Sequence, residues 1–219
     1  MFAHTEPMRV IMNKKLLHYI QSLPTDQVPV ERQRILESIV KYIREKQAAN
    51  KPVNLVFICT HNSRRSHFGQ IWATVATHYY NLEGIRNYSG GTETTAFNPR
   101  AVAAIERAGF QVLTPEGSSI VENPHYRVSY DPAQPAIECF SKVYNDAFNP
   151  QQEFGAIMTC SEADVNCPFI PGAEFRASLT YEDPKVADGT AEETARYDER
   201  CRQIATELFA LMRLLKTNQ

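Results

Sequence analysis

The chain has 219 residues, 43% hydrophobic and 22% charged, with a formal net charge of −2. Such a length supports one sizeable core without disulfides or metal, and the balanced charge argues against a disordered segment or a polyanion binder, so nucleic acid is not an expected partner. No apolar run nears the roughly 18 residues of a membrane span, and the opening M-F-A-H-T-E-P has neither the basic nor the apolar part of a signal peptide, so a cytoplasmic protein with no membrane partner is expected.

Apolar residues recur at helical spacing at Leu16, Leu17 and Ile20 and again at Ile35, Leu36, Ile39, Tyr42 and Ile43. They predict a helical extension over residues 1–51, punctuated by Pro24 and Pro29. These helices are expected to pack on the domain or to pair with a second copy as a homodimer, rather than to form a recognition arm. From residue 52 to 219 strand-like and helix-like stretches alternate, which implies parallel strands joined by helical crossovers in one α/β domain. Val53–Cys59 is the first strand, and Ser66–Tyr80 a helix whose Phe68, Ile71, Trp72, Val75 and Tyr79 read as core. Ile85–Ser89 is the second strand, and Asn98-Pro99 opens a helix that ends near Gly109. Between about 118 and 150 the periodicity weakens, and the runs Tyr126–Tyr130 and Ile137–Val143 suggest an inserted hairpin over the site. Phe154–Cys160 and Phe175–Leu179 supply two more strands, and Thr190 with Glu193 forms a capping box for the last helix.

The chemistry concentrates where the first strand ends, at C-T-H-N-S-R-R-S. A strand end holds Cys59 rigidly, the following residues can curl so that backbone amides and the Arg65 guanidinium converge on one tetrahedral anion, and the helix starting after them aims its dipole at that anion. The same positive surroundings favour a thiolate. Asn62 is a residue type that accepts a left-handed backbone, and Ser63 and Ser66 carry hydroxyls able to reach the sulfur or to brace the turn. A thiolate attacking an oxyanion also needs a proton donor for the departing oxygen. Asp183, before Pro184 and after the last strand, lies on the face where open α/β sheets build their sites. Asp131-Pro132 competes with it. Five cysteines form no disulfide framework. Cys160 and Cys167 flank six mostly small or polar residues and either close into a disulfide or stay idle thiols, whereas Cys139 and Cys201 read as buried. No second Cys or His pair stands at zinc spacing, so neither metal nor cofactor is expected.

Three stretches together, C-T-H-N-S-R-R-S after a strand, C-S-E-A-D-V-N-C, and E-D-P ahead of T-A-E-E, resemble the thioredoxin-coupled arsenate reductases, which share the low-molecular-weight protein tyrosine phosphatase fold. The resemblance runs from about Asn54 to the C-terminus, broken by the stretch near 118–150. It implies a parallel four-stranded sheet flanked by helices in three α/β/α layers. It further implies an arsenate or phosphate oxyanion held by Thr60, His61, Asn62, Ser63, Arg64 and Arg65. In that family's reaction Cys59 would attack arsenate with Asp183 assisting, Cys160 would attack Cys59, and Cys167 would close a Cys160–Cys167 disulfide for thioredoxin to reduce. Three positions depart from the pattern. His61 stands where the family prefers glycine, Arg64 where a cysteine is common, and Gln70 where an acidic residue helps to hold potassium in some members, so no potassium site is expected. The competing readings are a phosphatase working through a cysteinyl-phosphate and an oxyanion-binding module without chemistry.

Overall fold

The computed structural model describes residues 12–114 and 121–217, beginning with the two amphipathic helices of the extension, α1 (Lys14–Gln21) and α2 (Val30–Ala48). The chain continues as β1 (Val53–Cys59), α3 (Arg65–Tyr79), β2 (Ile85–Gly91), α4 (Pro99–Ala108), β3 (Gln111–Leu113), β4 (Tyr126–Ser129), β5 (Ile137–Cys139), β6 (Phe154–Met158), α5 (Ser161–Asn166), β7 (Ala173–Ser178), a 3₁₀ turn at Pro184–Ala187, and α6 (Glu193–Thr217). β1, β2, β6 and β7 form the expected four-stranded parallel sheet, in the order β2-β1-β6-β7.

Period-two alternation along β1 divides the core. Val53, Leu55 and Phe57 face a large cluster with α2, α3 and α6, whereas Val56 and Ile58 face a smaller one with β6, Ala163 of α5 and Ile170. Both faces are covered, which is why β1 and β6 are almost continuously apolar. The smaller cluster also contains Cys59 and Cys160, with Cys167 packed at its edge.

The helical extension is spent on the chain's own core. Leu16, Ile20, Leu36, Ile39 and Ile43 are buried in the same cluster as Trp72 and Phe209, and the Tyr19 ring stacks on Trp72 with centroids 5.5 Å apart. Each such apolar side chain contributes about 1.5–3 kcal/mol by leaving water.

The inserted region differs from the sequence reading. β4 and β5 do pair as an antiparallel hairpin, but β3, which the sequence pattern does not reveal, joins them in a separate three-stranded sheet in the order β3-β4-β5. Residues 115–120, where the insertion was expected to begin, lie outside the described residues. The exit segment of the hairpin runs beside β2, where Gly91 donates to the Lys142 carbonyl and Tyr144 donates back to Gly91, each at 2.8 Å. That approach explains the Gly90-Gly91 pair. A Cβ on Gly90 would lie 2.3 Å from the Tyr144 Cα, and one on Gly91 2.7 Å from the Thr60 carbonyl.

Element bounds also move, with β2 running on to Gly91 and β6 stopping at Met158. β7 starts and stops earlier than Phe175–Leu179, and the stretch between Cys160 and Cys167, read as a loop, is the helix α5. Cys160 caps that helix through its sulfur, and Glu162 and Asp164 stand in the first turn, where the helix dipole favours them.

Candidate active site

Residues 60–64 turn the chain from the end of β1 into α3, and their carbonyls point outward to partners. Thr60 accepts from Glu93 N at 2.8 Å, His61 from Ser141 Oγ at 2.8 Å, and Ser63 from Asn98 N at 2.9 Å. By contrast, the amides of residues 61–64 have no acceptor among the described residues. Amides left without protein acceptors ahead of a helix N-terminus are the groups from which an anion cradle can be made. No acidic residue stands in the first turn of α3 to compete for that place.

Asn62 organises the loop. Its φ is 44°, the left-handed conformation an asparagine tolerates, so the positive φ falls here and not on His61. The Asn62 side chain is fully buried. Its Nδ2 donates to Ser66 Oγ at 2.8 Å and its Oδ1 accepts from Lys142 N at 3.0 Å. Ser66 is thereby aimed at Cys59, with Oγ and Sγ 3.1 Å apart.

Ser63 turns away, donating to the Ala96 carbonyl at 2.7 Å. His61 reaches outward to Glu93 at 3.5 Å. Arg64 does not present a free charge at the mouth. Its Nε donates to the Tyr197 hydroxyl at 2.9 Å, and its guanidinium lies 3.9 Å from carboxylate oxygens of both Asp183 and Asp188.

The two Asp-Pro aspartates occupy different places. Arg65 donates through Nη2 to Asp183 Oδ2 at 2.7 Å and through Nη1 to the Tyr181 carbonyl at 3.0 Å. Its Nε is buried without a partner. Asp183 also caps the 3₁₀ turn through the Lys185 amide, which fixes the carboxylate beside the loop. Asp131 is buried elsewhere, against His78 Nε2 at 3.0 Å near the far end of α3.

Cys160 follows β6, whose Met158 pairs with Ile58 of β1, so the two cysteines leave adjacent parallel strand ends. Thr60 Oγ1 stands 3.4 Å from Cys160 Sγ and donates to Glu162 Oε2 at 3.3 Å, so one side chain of the loop touches the second cysteine. Cys167 is partly exposed at the far end of α5, and all five cysteines are free. Cys139 and Cys201 lie in the apolar core, where burial pushes both thiols up to about 12, which keeps them protonated and inert.

Sequence reasoning did not find the supports of this site. Ser141 and Lys142 hold the loop from the inserted segment. Burial lowers the Lys142 ammonium to about 8, and it lies 4.3 Å from the Phe140 ring centre and 5.2 Å from that of Phe148. Tyr181 contributes a backbone carbonyl, to which its residue type gives no clue. Among the described residues, no group of three or more His, Cys, Asp or Glu side chains is disposed to hold a metal ion, and no helix is long and apolar enough to cross a membrane.

No protein-family model matches the chain. The chain is 27% identical to an arsenate reductase of Bacillus subtilis strain 168 over 148 residues, 68% of this chain and 86% of that protein. It is also 27% identical to an arsenate reductase of Staphylococcus aureus strain Newman over 132 residues, 59% and 77% of the two chains. Among solved structures, a low-molecular-weight phosphotyrosine phosphatase of Vibrio cholerae superposes with a TM-score of 0.51 at 14% identity, over 76% of this chain and 98% of that one. A YwlE mutant from Bacillus subtilis gives 0.50 at 14% identity, over 75% and 99%. The chain is thus similar in sequence to arsenate reductases and has the low-molecular-weight protein tyrosine phosphatase fold.

Proposed function

We propose that this protein reduces arsenate to arsenite in the cytoplasm through a relay of Cys59, Cys160 and Cys167, with a thioredoxin-like dithiol as the reductant. The observation that carries the reading is the seating of Cys59 and Cys160 on neighbouring strand ends in one buried cluster, bridged by Thr60.

The anion sits among the amides of the loop and the Arg65 guanidinium. The Cys59 thiolate, steadied by Ser66, attacks arsenic, and one arsenate oxygen leaves as water with a proton from Asp183. Cys160 then attacks the Cys59 sulfur. The sulfur–arsenic bond breaks with its electron pair going to arsenic, arsenite departs, and a Cys59–Cys160 disulfide remains. Cys167 attacks Cys160, which frees Cys59 and leaves a Cys160–Cys167 disulfide, and an external dithiol reduces that bond.

The geometry imposes one condition on the last exchange. Residues seven apart on a helix are separated by about 10 Å along its axis, whereas a disulfide brings its Cα atoms to about 4.4–6.8 Å. Because Cys160 and Cys167 cap opposite ends of α5, the helix must unwind. Six residues with one fully buried side chain, Ala163, make a segment able to do so.

A phosphatase working through a cysteinyl-phosphate is the second reading, favoured by the same cradle and by the Asp183–Arg65 contact, which serve either anion. Assays of arsenate reduction with a thioredoxin system and of aryl phosphate hydrolysis separate them. In the first reading Cys59→Ser, Cys160→Ser and Cys167→Ser each abolish arsenate turnover. Aryl phosphate hydrolysis that needs Cys59 alone, without arsenate reduction, establishes the second.

A further inference from the structure

We propose that Arg32, on helix α2 of the extension, is a positioning residue for the segment Thr180–Asp183 and so joins the extension to the active site. The inference rests on the reading of Asp183 as the proton donor.

Four contacts converge on this guanidinium. Nη1 donates to the Thr180 carbonyl at 2.9 Å, and Nε donates to Glu207 Oε1 at 3.0 Å. Nη2 donates to Glu207 Oε2, completing a two-pronged ion pair. The guanidinium carbon lies 4.7 Å from the centre of the Tyr181 ring. The partners are themselves fixed. Glu207, on α6, is 3% exposed and accepts from the Tyr181 hydroxyl at 2.8 Å. The Tyr181 amide donates to Thr159 at the end of β6 at 3.1 Å. Thus a residue well before the loop in sequence, outside the catalytic region, holds two consecutive residues of the segment from behind.

The front of that segment faces the site. The Tyr181 carbonyl and the Asp183 carboxylate are the two acceptors that hold Arg65. Displacing Thr180 and Tyr181 therefore moves the proton donor and loosens the anion-binding guanidinium together. A forked cation is required, since only a planar guanidinium can span a carboxylate and a carbonyl while stacking on an aromatic face. A lysine in its place keeps the charge and loses the span.

Arg32→Ala alone would strand the buried Glu207 and endanger folding. The test therefore uses Arg32→Lys and the paired variant Arg32→Leu/Glu207→Gln, in which residue 207 still accepts from Tyr181. Hydrogen exchange of the peptide covering Thr180–Lys185 is read beside β1 and α3, and single-turnover kinetics are read with Asp183 intact and as Asp183→Asn. The expected result is faster exchange confined to the segment, by about tenfold or more. The maximal rate should fall about tenfold and the half-saturating oxyanion should rise as Arg65 loosens, and the variant should lower the maximal rate no further in the Asp183→Asn background. Exchange equal to wild type in the segment, or the same loss of rate in both backgrounds, would overturn the proposal. Faster exchange in a protein whose rate is indifferent to Asp183→Asn would sink the acid reading while the brace stands.

Discussion

Replacing Asn62 tests whether the loop is preformed by its own side chain. Asn62→Ala removes the acceptor of the buried Lys142 amide and the donor that orients Ser66. An unsatisfied buried partner costs about 1–3 kcal/mol, and a left-handed alanine about 1–2 kcal/mol more. The sum, about 2–5 kcal/mol, corresponds to a fall in Tm of roughly 4–20 °C for a chain of this size. Asn62→Gly loses the same hydrogen bonds but accepts the 44° φ without strain, so it should recover about 1–2 kcal/mol, or roughly 2–8 °C. Both variants should lose most of the turnover, because Ser66 is no longer aimed at Cys59. Calorimetry of the three proteins, followed by single-turnover assays, measures each component. Equal melting of the alanine and glycine variants would refute the claim that backbone conformation contributes. Wild-type turnover in either would refute the role of the side chain.

Asp183→Asn should slow the chemical step by about 10²–10⁴-fold, while Asp131→Asn, which loosens His78 instead, should leave the rate constant of the folded protein unchanged; stopped-flow rates on both variants check this. Burial, reinforced by the Lys142 charge, holds His67 well below the ordinary histidine range. The unfolded chain takes up that proton near pH 6.5 and the folded chain does not, so His67 leaves stability intact above about pH 6.5 and removes up to about 1.4 kcal/mol per pH unit as pH falls towards 5. Urea unfolding across that window should show the slope in wild type and a shallower one in His67→Gln. Arg176 donates to the Asp164 carbonyl at 2.6 Å and pairs with its carboxylate, clamping α5 to β7. Arg176→Ala should relax this partly exposed clamp by about 1 kcal/mol, giving roughly fivefold faster Cys160–Cys167 closure under a mild oxidant; an unchanged rate would show that α5 does not limit the exchange.

Much of this architecture was readable because it rests on local rules. β1 announces itself by an apolar run ending at Cys59, α4 by Asn98-Pro99 and Gly109, and the extension by its 3.6-residue period. The Thr190–Glu193 signal was half right. Glu193 does reach back at the start of α6, but it accepts from Gly189 N, while Thr190 accepts from Glu192 N. What stayed hidden depends on contacts distant in sequence. β3 is only three residues long and exists because β4 pairs with it. Residues 161–166 are mostly small or polar, so α5 depends on a cysteine cap and two acids in its first turn. Arg64 looks like an added charge at the mouth until Tyr197 of α6 and Asp188, which follows the 3₁₀ turn, reach it. The supports of the loop, the Lys142 amide and the Tyr181 carbonyl, are backbone groups, which carry no mark of residue type.

Mass spectrometry of the protein after exposure to arsenate without reductant, with free thiols alkylated before digestion, tests the relay most directly. The account predicts one stoichiometric linked peptide pair, Cys160 with Cys167, and none from Cys160→Ser or from protein treated with phosphate. All five cysteines recovered as alkylated thiols after arsenate would contradict it.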